Sequence, residues 1–330
     1  MADLASVDCR RHPAKVRPEP PLELNPPSLS GRTPLDKPCR VAIVFCFTSS
    51  FRYTGFFQMR RGHMDTQLLV ICALTFVIHV IATLAYAVRI AGVRTRRIAV
   101  SFSLFGIIAL FSRLANSFQG PFIAKRVEMD IADHAGGGLL GDFRIFLVTA
   151  TVATIAGTLL IPTFQRYFSR AVEHFQANRS IPRLVLHVFS RGGINYIRGG
   201  AKIPSPQNLT QLAGGAGVST KVIVLNVFAM AIWTVGVFAS LYAGYMKPEL
   251  RVTCANLSSV INGFATVVLA IVIDPQVSVM TDDVIEGRVS ENGFRRAITT
   301  LAGARIIGTL CAQIILVPAS LFIVHVAEMI

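Results

Sequence analysis

Six apolar stretches long enough to cross a bilayer follow one another from Met64 onward. They are Leu68 to Val88, Ile98 to about Ala124, Ile145 to Phe164, Val222 to Met246, Val252 to Ile273 and Ile306 to Ala327. A hydrocarbon layer about 30 Å thick takes about 20 helical residues, and a barrel strand only about ten. Backbone polar groups inside that layer must be satisfied by the segment itself, so runs of this length are helices. The expected fold class is an all-α integral membrane protein with six transmembrane helices. Composition agrees: the chain is 52% hydrophobic and only 15% charged, with a mean hydropathy of +0.56, whereas a soluble domain carries about 25% charge. A water-facing surface cannot absorb that apolar excess.

Residues 1–63 differ in kind from the rest. They hold ten Lys or Arg, five Asp or Glu, and a tract around Pro18, Pro20, Pro21, Pro26 and Pro27. Two readings stand for this N-terminal extension. One is a disordered tail, since too little apolar surface is available for a core. The other is a misassigned start, with translation beginning at Met64, which leads straight into the first span. Arg60-Arg61-Gly62 is encodable as a purine-rich ribosome-binding sequence, and CGN codons at Arg60 and Arg61 would remove that argument. The polytopic membrane domain is then 64–330.

Charge in the connections sets the orientation, because Lys and Arg favour the cytoplasmic side. Connections one, three and five carry sixteen Lys or Arg, among them Arg89, Arg94, Arg288, Arg295, Arg296 and Arg305; the remaining ends and connections carry five. Both ends of the 64–330 region are therefore expected outside. The net charge of +14 reads as this bias, and no nucleic-acid partner is expected. The long third connection divides the spans three and three, and an odd number per half reverses the sense of the second half. That arithmetic suits a 3+3 inverted-topology arrangement, although the halves show no sequence similarity. Within the third connection Ile181, Leu184, Val185, Val188 and Phe189 share a helical face, with Arg183, His187 and Arg191 off it. Such a stretch either rests on anionic membrane lipids or is a short solvated helix over the ends of other spans.

Motif chemistry is sparse. No phosphate-binding GxxxxGK[ST] loop, HExxH or GxSxG is present. The six cysteines form neither a disulfide framework nor a metal set, so no cofactor and no metal are expected. Asp282-Asp283-Val284-Ile285-Glu286 has the carboxylate spacing of Asp-rich loops that hold Mg²⁺ on a prenyl diphosphate. A membrane enzyme acting on a prenyl diphosphate is accordingly the alternative function. The competing reading is an acidic loop that balances Arg288, Arg295 and Arg296.

Polar residues within the spans say more, because an Arg at a helix centre costs about 2.5–3.5 kcal/mol on insertion scales. Arg113 lies about 22 Å into the second span at 1.5 Å per residue. Arg113, Asn116 and Gly120 share a helical face with Gln119 beside it, a stripe expected to point into the bundle and to suit a phosphate or diphosphate. The alternative is a helix that ends near Ser117, before Gly120-Pro121, with Arg113 snorkelling to the surface. His79, midway along the first span, is a candidate proton or polar relay or else a hydrogen-bonded bundle histidine. Asn226, Asn256, Asn262 and Gln313 are expected to bond between helices, and Asn262-Gly263 and Pro318 to mark kinks.

The stretch LAYAVRIAGVRTRRIAVSFSLFGIIALFSRLANSFQGPF, Leu84 to Phe122, resembles the N-terminal signature of the Amj family of bacterial alternate lipid II flippases. The resemblance rests on Tyr86, Arg89, Gly92-Val93-Arg94, Ser112-Arg113, Asn116 and Pro121, and extends more loosely over Met64 to Ile330. It implies a multi-pass transporter of the bacterial cell membrane, not an enzyme. Its partner would be lipid II, an undecaprenyl diphosphate carrying a disaccharide-pentapeptide, moved from inner to outer leaflet for cell-wall synthesis. Such a substrate needs cations along its route. Arg89 and Arg94 would capture the diphosphate at the cytoplasmic mouth, and Arg113 would hold it partway with Asn116 and Gln119 as donors. The extension before Met64 departs from the family pattern.

Overall fold

The computed structural model describes residues 66–133, 138–178 and 218–330, all within the second of two units into which the chain divides, Phe57–Ile330. The extension 1–63 and the amphipathic stretch beginning at Ile181 lie outside the described residues. Seven α-helices are described: α1 Thr66–Thr95, α2 Ile98–Ala132, α3 Leu139–Asn178, α4 Thr220–Met246, α5 Arg251–Val268, α6 Asp274–Ile285 and α7 Glu291–Met329. A five-residue π turn, Leu269–Ile273, joins α5 to α6 without a break, so these two form one span. Among the described residues there is no strand, and six helical runs are long and apolar enough to cross a membrane. The all-α, six-span expectation therefore holds.

Helix ends follow local chemistry. α1 closes with the Arg96 N–H on the Val93 carbonyl at 3.1 Å and the Arg97 N–H on the Gly92 carbonyl at 3.0 Å, the paired bonds of a left-handed C-terminal cap. Arg96 occupies the left-handed position at φ 53°, where glycine is usual. The same pair of bonds closes α6, from Gly287 to Val284 and from Arg288 to Asp283, and there glycine fills the position at φ 78°. A side chain in that conformation costs about 1–2 kcal/mol, and glycine loses about 0.5–1 kcal/mol in chain entropy. Arg96→Gly is accordingly expected to stabilise the fold by about 0.5–1 kcal/mol, visible as a higher melting temperature in detergent.

Pro121 behaves differently from what its sequence context suggests, and the irregular turn of the fifth span lies away from the position expected for it. α2 does not end at Gly120-Pro121 but runs through Pro121 to Ala132. The lost backbone bond is offset because α1 grips α2 on both sides of it. Gln119 Nε2 donates to Thr75 Oγ1 at 2.6 Å and Gln67 Nε2 to the Phe122 carbonyl at 3.0 Å. The irregular turn in the fifth span falls at Leu269–Ile273, beyond Asn262-Gly263, because Pro275 cannot bond the carbonyl four residues back and its ring crowds it.

The helices pack as two triplets built by one rule. α1 lies between α2 and α3, α4 lies between the fifth span and α7, and α3 meets α7. Each triplet has a glycine where its first and third helices touch. A Cβ on Gly157 of α3 would come 2.8 Å from Thr83 Cβ and 3.3 Å from the Val80 carbonyl oxygen of α1. A Cβ on Gly308 of α7 would come 2.6 Å from Met230 Cβ and 2.7 Å from the Val227 carbonyl oxygen of α4. Small residues let backbones approach closely in a medium that offers no hydrophobic drive between helices. α2 and the fifth span are the least buried. Their outward faces carry Leu110, Phe111, Leu114 and Phe118, and Val252, Val260, Phe264 and Ile271, which suits contact with acyl chains.

Candidate functional site

The apolar interior is interrupted at mid-depth by a cluster of polar and aromatic side chains. Trp233, the single tryptophan of the chain, is the middle residue of α4, and His79 stands beside the middle of α1. Their rings meet edge to face, with centroids 5.3 Å apart. Arg305 enters from α7 and sets its guanidinium carbon 5.4 Å from the Trp233 centroid, a cation–π contact, with the Tyr86 side chain of α1 as a hydrogen-bonding neighbour. The residue is only 7% exposed, and its Nε has no hydrogen-bond partner. His79 Nδ1 lies 3.5 Å from the Thr154 hydroxyl of α3, the outer limit of a hydrogen bond. Asn226 Nδ2 donates to the Leu301 carbonyl at 3.2 Å, while its Oδ1 is left without a partner.

Arg305 corrects the sequence reading, which placed it in the fifth connection. It lies well inside α7, on a face with Leu301, Ala302, Gly308 and Thr309, all buried. The signal in the sequence was this run of small residues on either side of the arginine, which marks a close helix contact and not a loop. Counting Arg305 with the loop charges hid it.

The stripe on α2 is not gathered into the bundle. Arg113 and Asn116 lie on the exposed side of the helix, and Gln119 alone of the three is buried. At 100° per residue Arg113 falls almost opposite buried Ala115, so a helix held through Ala115 and Gln119 must turn Arg113 outward. Gln119 serves the α1–α2 contact through Thr75. Gln119→Ala is expected to lower stability by about 0.6–1.7 kcal/mol, the range for hydrogen bonds between membrane helices, as read by thermal unfolding in detergent.

Arg89 and Arg94 sit at one end of the bundle, each tied to a carboxylate of the second triplet. Arg89 bonds Asp274 at 2.7 Å while stacking over Phe102 at 5.3 Å, and Arg94 bonds Glu291 at 2.8 Å, with Arg295 sharing that carboxylate at 3.4 Å. At the other end Arg251 reaches Glu128 at 3.9 Å between the triplets, with Arg126–Asp142 and Lys247–Glu328 pairs within them. The Glu328 carboxylate holds the Lys247 ammonium above its ordinary pKa. Asp282 and Asp283 lie in the last turn of α6 and not in a loop, and there Arg288 pairs with Asp283 and with Glu286 at the helix end, the balancing arrangement for that arginine. No three His, Cys, Asp or Glu side chains gather at metal-binding distance among the described residues. Gln313 Nε2 reaches the Arg144 carbonyl of α3 at 3.1 Å, whereas Asn256 is exposed and Asn262 sits over Gly236 with its Oδ1 unbonded.

The family model described as Amj, alternate to MurJ, matches residues 74–327. The chain belongs to the Amj family. A curated relative, "Lipid II flippase Amj" of Bacillus subtilis (strain 168), is 35% identical over 261 residues, which is 79% of this chain and 96% of the relative. No solved structure matches. The residues on which the resemblance rests now have places: Tyr86 beside the buried arginine, Arg89 and Arg94 at the ties between triplets, and Gly92 in the last turn of α1 against the start of α2. A Cβ on Gly92 would meet Ile98 Cα at 3.3 Å and the Ser101 hydroxyl at 3.4 Å.

Proposed function

We propose that this chain is a transporter that moves lipid II from the inner to the outer leaflet of a bacterial cell membrane. The observation that carries the reading is the match to a relative named lipid II flippase across 96% of that relative's length, which leaves no major part of it uncounted. Physical chemistry fits the assignment. A diphosphate with a sugar-peptide headgroup cannot cross hydrocarbon unaided, since charged groups there cost several kcal/mol. It needs cations, and a route beside helices that are loosely packed. α2 and the fifth span, the least buried of the six, are the ones placed to border such a route.

In this reading connections one, three and five face the cytoplasm and both ends of the 64–330 region lie outside. Arg89 and Arg94 take the diphosphate at the inner mouth, in exchange for Asp274 and Glu291. Arg113 and Asn116, on the exposed side of α2, guide the headgroup as it passes, while Gln119 and His79 support the helix contacts behind them. Anionic lipids hold the third connection to the inner leaflet. The two triplets form a 3+3 inverted repeat, in keeping with their common packing rule.

The test is leaflet location of lipid II in cells depleted of other flippases, read with a reagent that modifies only outward-facing headgroups. Expression from Met64 is expected to restore labelling. The Asp282→Asn/Asp283→Asn double variant is expected to restore it equally. No labelling from a correctly inserted chain would overturn the transport reading, and loss of activity in the double variant would favour a prenyl-diphosphate enzyme.

A further inference from the structure

Among the described residues the ion pairs gather toward the ends of the bundle, within and between the triplets, yet the most deeply buried cation has no acidic partner. Arg89, Arg94, Arg126, Lys247, Arg251, Arg288 and Arg295 each reach a carboxylate. Arg305 reaches none among the described residues. Burying an unpaired charge costs several kcal/mol even after relaxation, and an intramembrane arginine that bears this cost marks a functional site. The Trp233 ring lies against the guanidinium carbon, and the buried, unpartnered Nε–H is the donor left to meet an oxyanion once the triplets part. Forked donation is how arginine grips phosphate.

The position is suited to a crossing ligand. Placing the Val80/Thr83 contact of the first triplet on the Val227/Met230 contact of the second sets His79 against Asn226 and Tyr86 against Trp233. Placing Gly157 on Gly308 sets Thr154 against Arg305. The polar cluster is thus made of corresponding positions of the two triplets, where they face each other at mid-depth. Carriers built from repeats place their substrate at that junction. Separation of the triplets would leave Arg305 and Trp233 on one wall and His79 and Tyr86 on the other, while the glycine contacts keep α1 with α3 and α4 with α7.

We propose that Arg305, held by Trp233 and flanked by Tyr86, is the intramembrane seat for the phosphate oxyanion of the transported lipid. This rests on the flippase reading and names the group that holds the substrate midway. The same oxyanion chemistry is available from a polyprenyl diphosphate and from a phospholipid headgroup, so the test separates them.

Because Trp233 is the only tryptophan, its emission reports on this site alone. The full chain in phosphatidylcholine nanodiscs is titrated with undecaprenyl diphosphate, undecaprenol or phosphatidylglycerol. The expected result is a saturable emission change with undecaprenyl diphosphate, and none with the other two at the same mole fraction. Arg305→Gln is expected to weaken that response at least about tenfold, the usual scale for losing a charge-assisted bond. Arg305→Lys, which keeps the charge without the fork, serves if the glutamine variant does not insert. An equal response to phosphatidylglycerol, no response at all, or unchanged affinity in the inserted variant overturns the proposal. Leaflet labelling separates the two readings. Binding without labelling by the intact chain removes the flippase assignment and keeps the site, and labelling undiminished in Arg305→Gln removes the site and keeps the assignment.

Discussion

Gly308→Val is expected to remove the folded bundle from the membrane, or to lower its stability by about 3 kcal/mol or more, the upper range for overpacking a close contact. The atoms that a Cβ would meet are Met230 Cβ and the Val227 carbonyl oxygen, at 2.6 and 2.7 Å. Neither can rotate away, since both are fixed to the α4 backbone, so α7 and α4 must part. Trimming Met230 to alanine leaves both atoms in place and is expected to rescue nothing. Gly236 is the instructive contrast. Its nearest neighbour is the end of the Asn262 side chain, which can swing aside, so Gly236→Ala is expected to cost much less. Gly303→Ala, with nothing within 4 Å of its Cβ, should gain up to about 1 kcal/mol from helix propensity. Melting temperatures of the four variants in detergent check the order. A Gly308→Val protein as stable as Gly303→Ala would show that the α4–α7 contact is not what holds the second triplet together.

The architecture was legible because hydropathy registers each span separately: a run such as Val222 to Met246 needs no partner to be read as a helix. The ends of helices were less so. Pro121 reads as a stop, and the grip of Gln67 and Thr75, on a helix more than forty residues away, on Phe122 and Gln119 either side of it is what makes it tolerable. The site was the least legible part. A one-dimensional reading ranks a cation by the apolar residues around it, which favours Arg113 and assigns Arg305 to the loop before Ile306. Which way a side chain faces depends on which neighbours the helix chooses. α2 is held through Ala115 and Gln119, and α7 through small residues that bring Arg305 against Trp233. Arg89 and Arg94 were legible in the sequence only as cations at the end of the first span; the acids that hold them, Asp274 and Glu291, come from the opposite triplet, and no local pattern connects positions so far apart.

Those two ties make the second strong expectation, that Arg89→Glu stops transport. The substitution sets a carboxylate against Asp274, and two like charges about 4 Å apart repel by roughly 1 kcal/mol in water and about 4 kcal/mol near a protein surface. Arg89 is largely covered, at 14% side-chain exposure, whereas Asp274 is 58% exposed, so the acid has water to turn to and the new glutamate does not. α1 and α6 should therefore separate at this end, and Phe102 loses the cation stacked on it. Labelling of outward-facing lipid II is expected to fall at least about tenfold, as a loss of 1.4 kcal/mol or more would give. Arg89→Glu/Asp274→Arg then separates two roles. The reversed pair restores attraction between α1 and α6, so thermal stability should recover. Transport should stay low if Arg89 itself receives the diphosphate, because the cation now projects from α6. Recovery of both stability and labelling would reduce Arg89 to a tie between the triplets and move substrate capture to Arg94, whose Glu291 partner already divides its charge with Arg295.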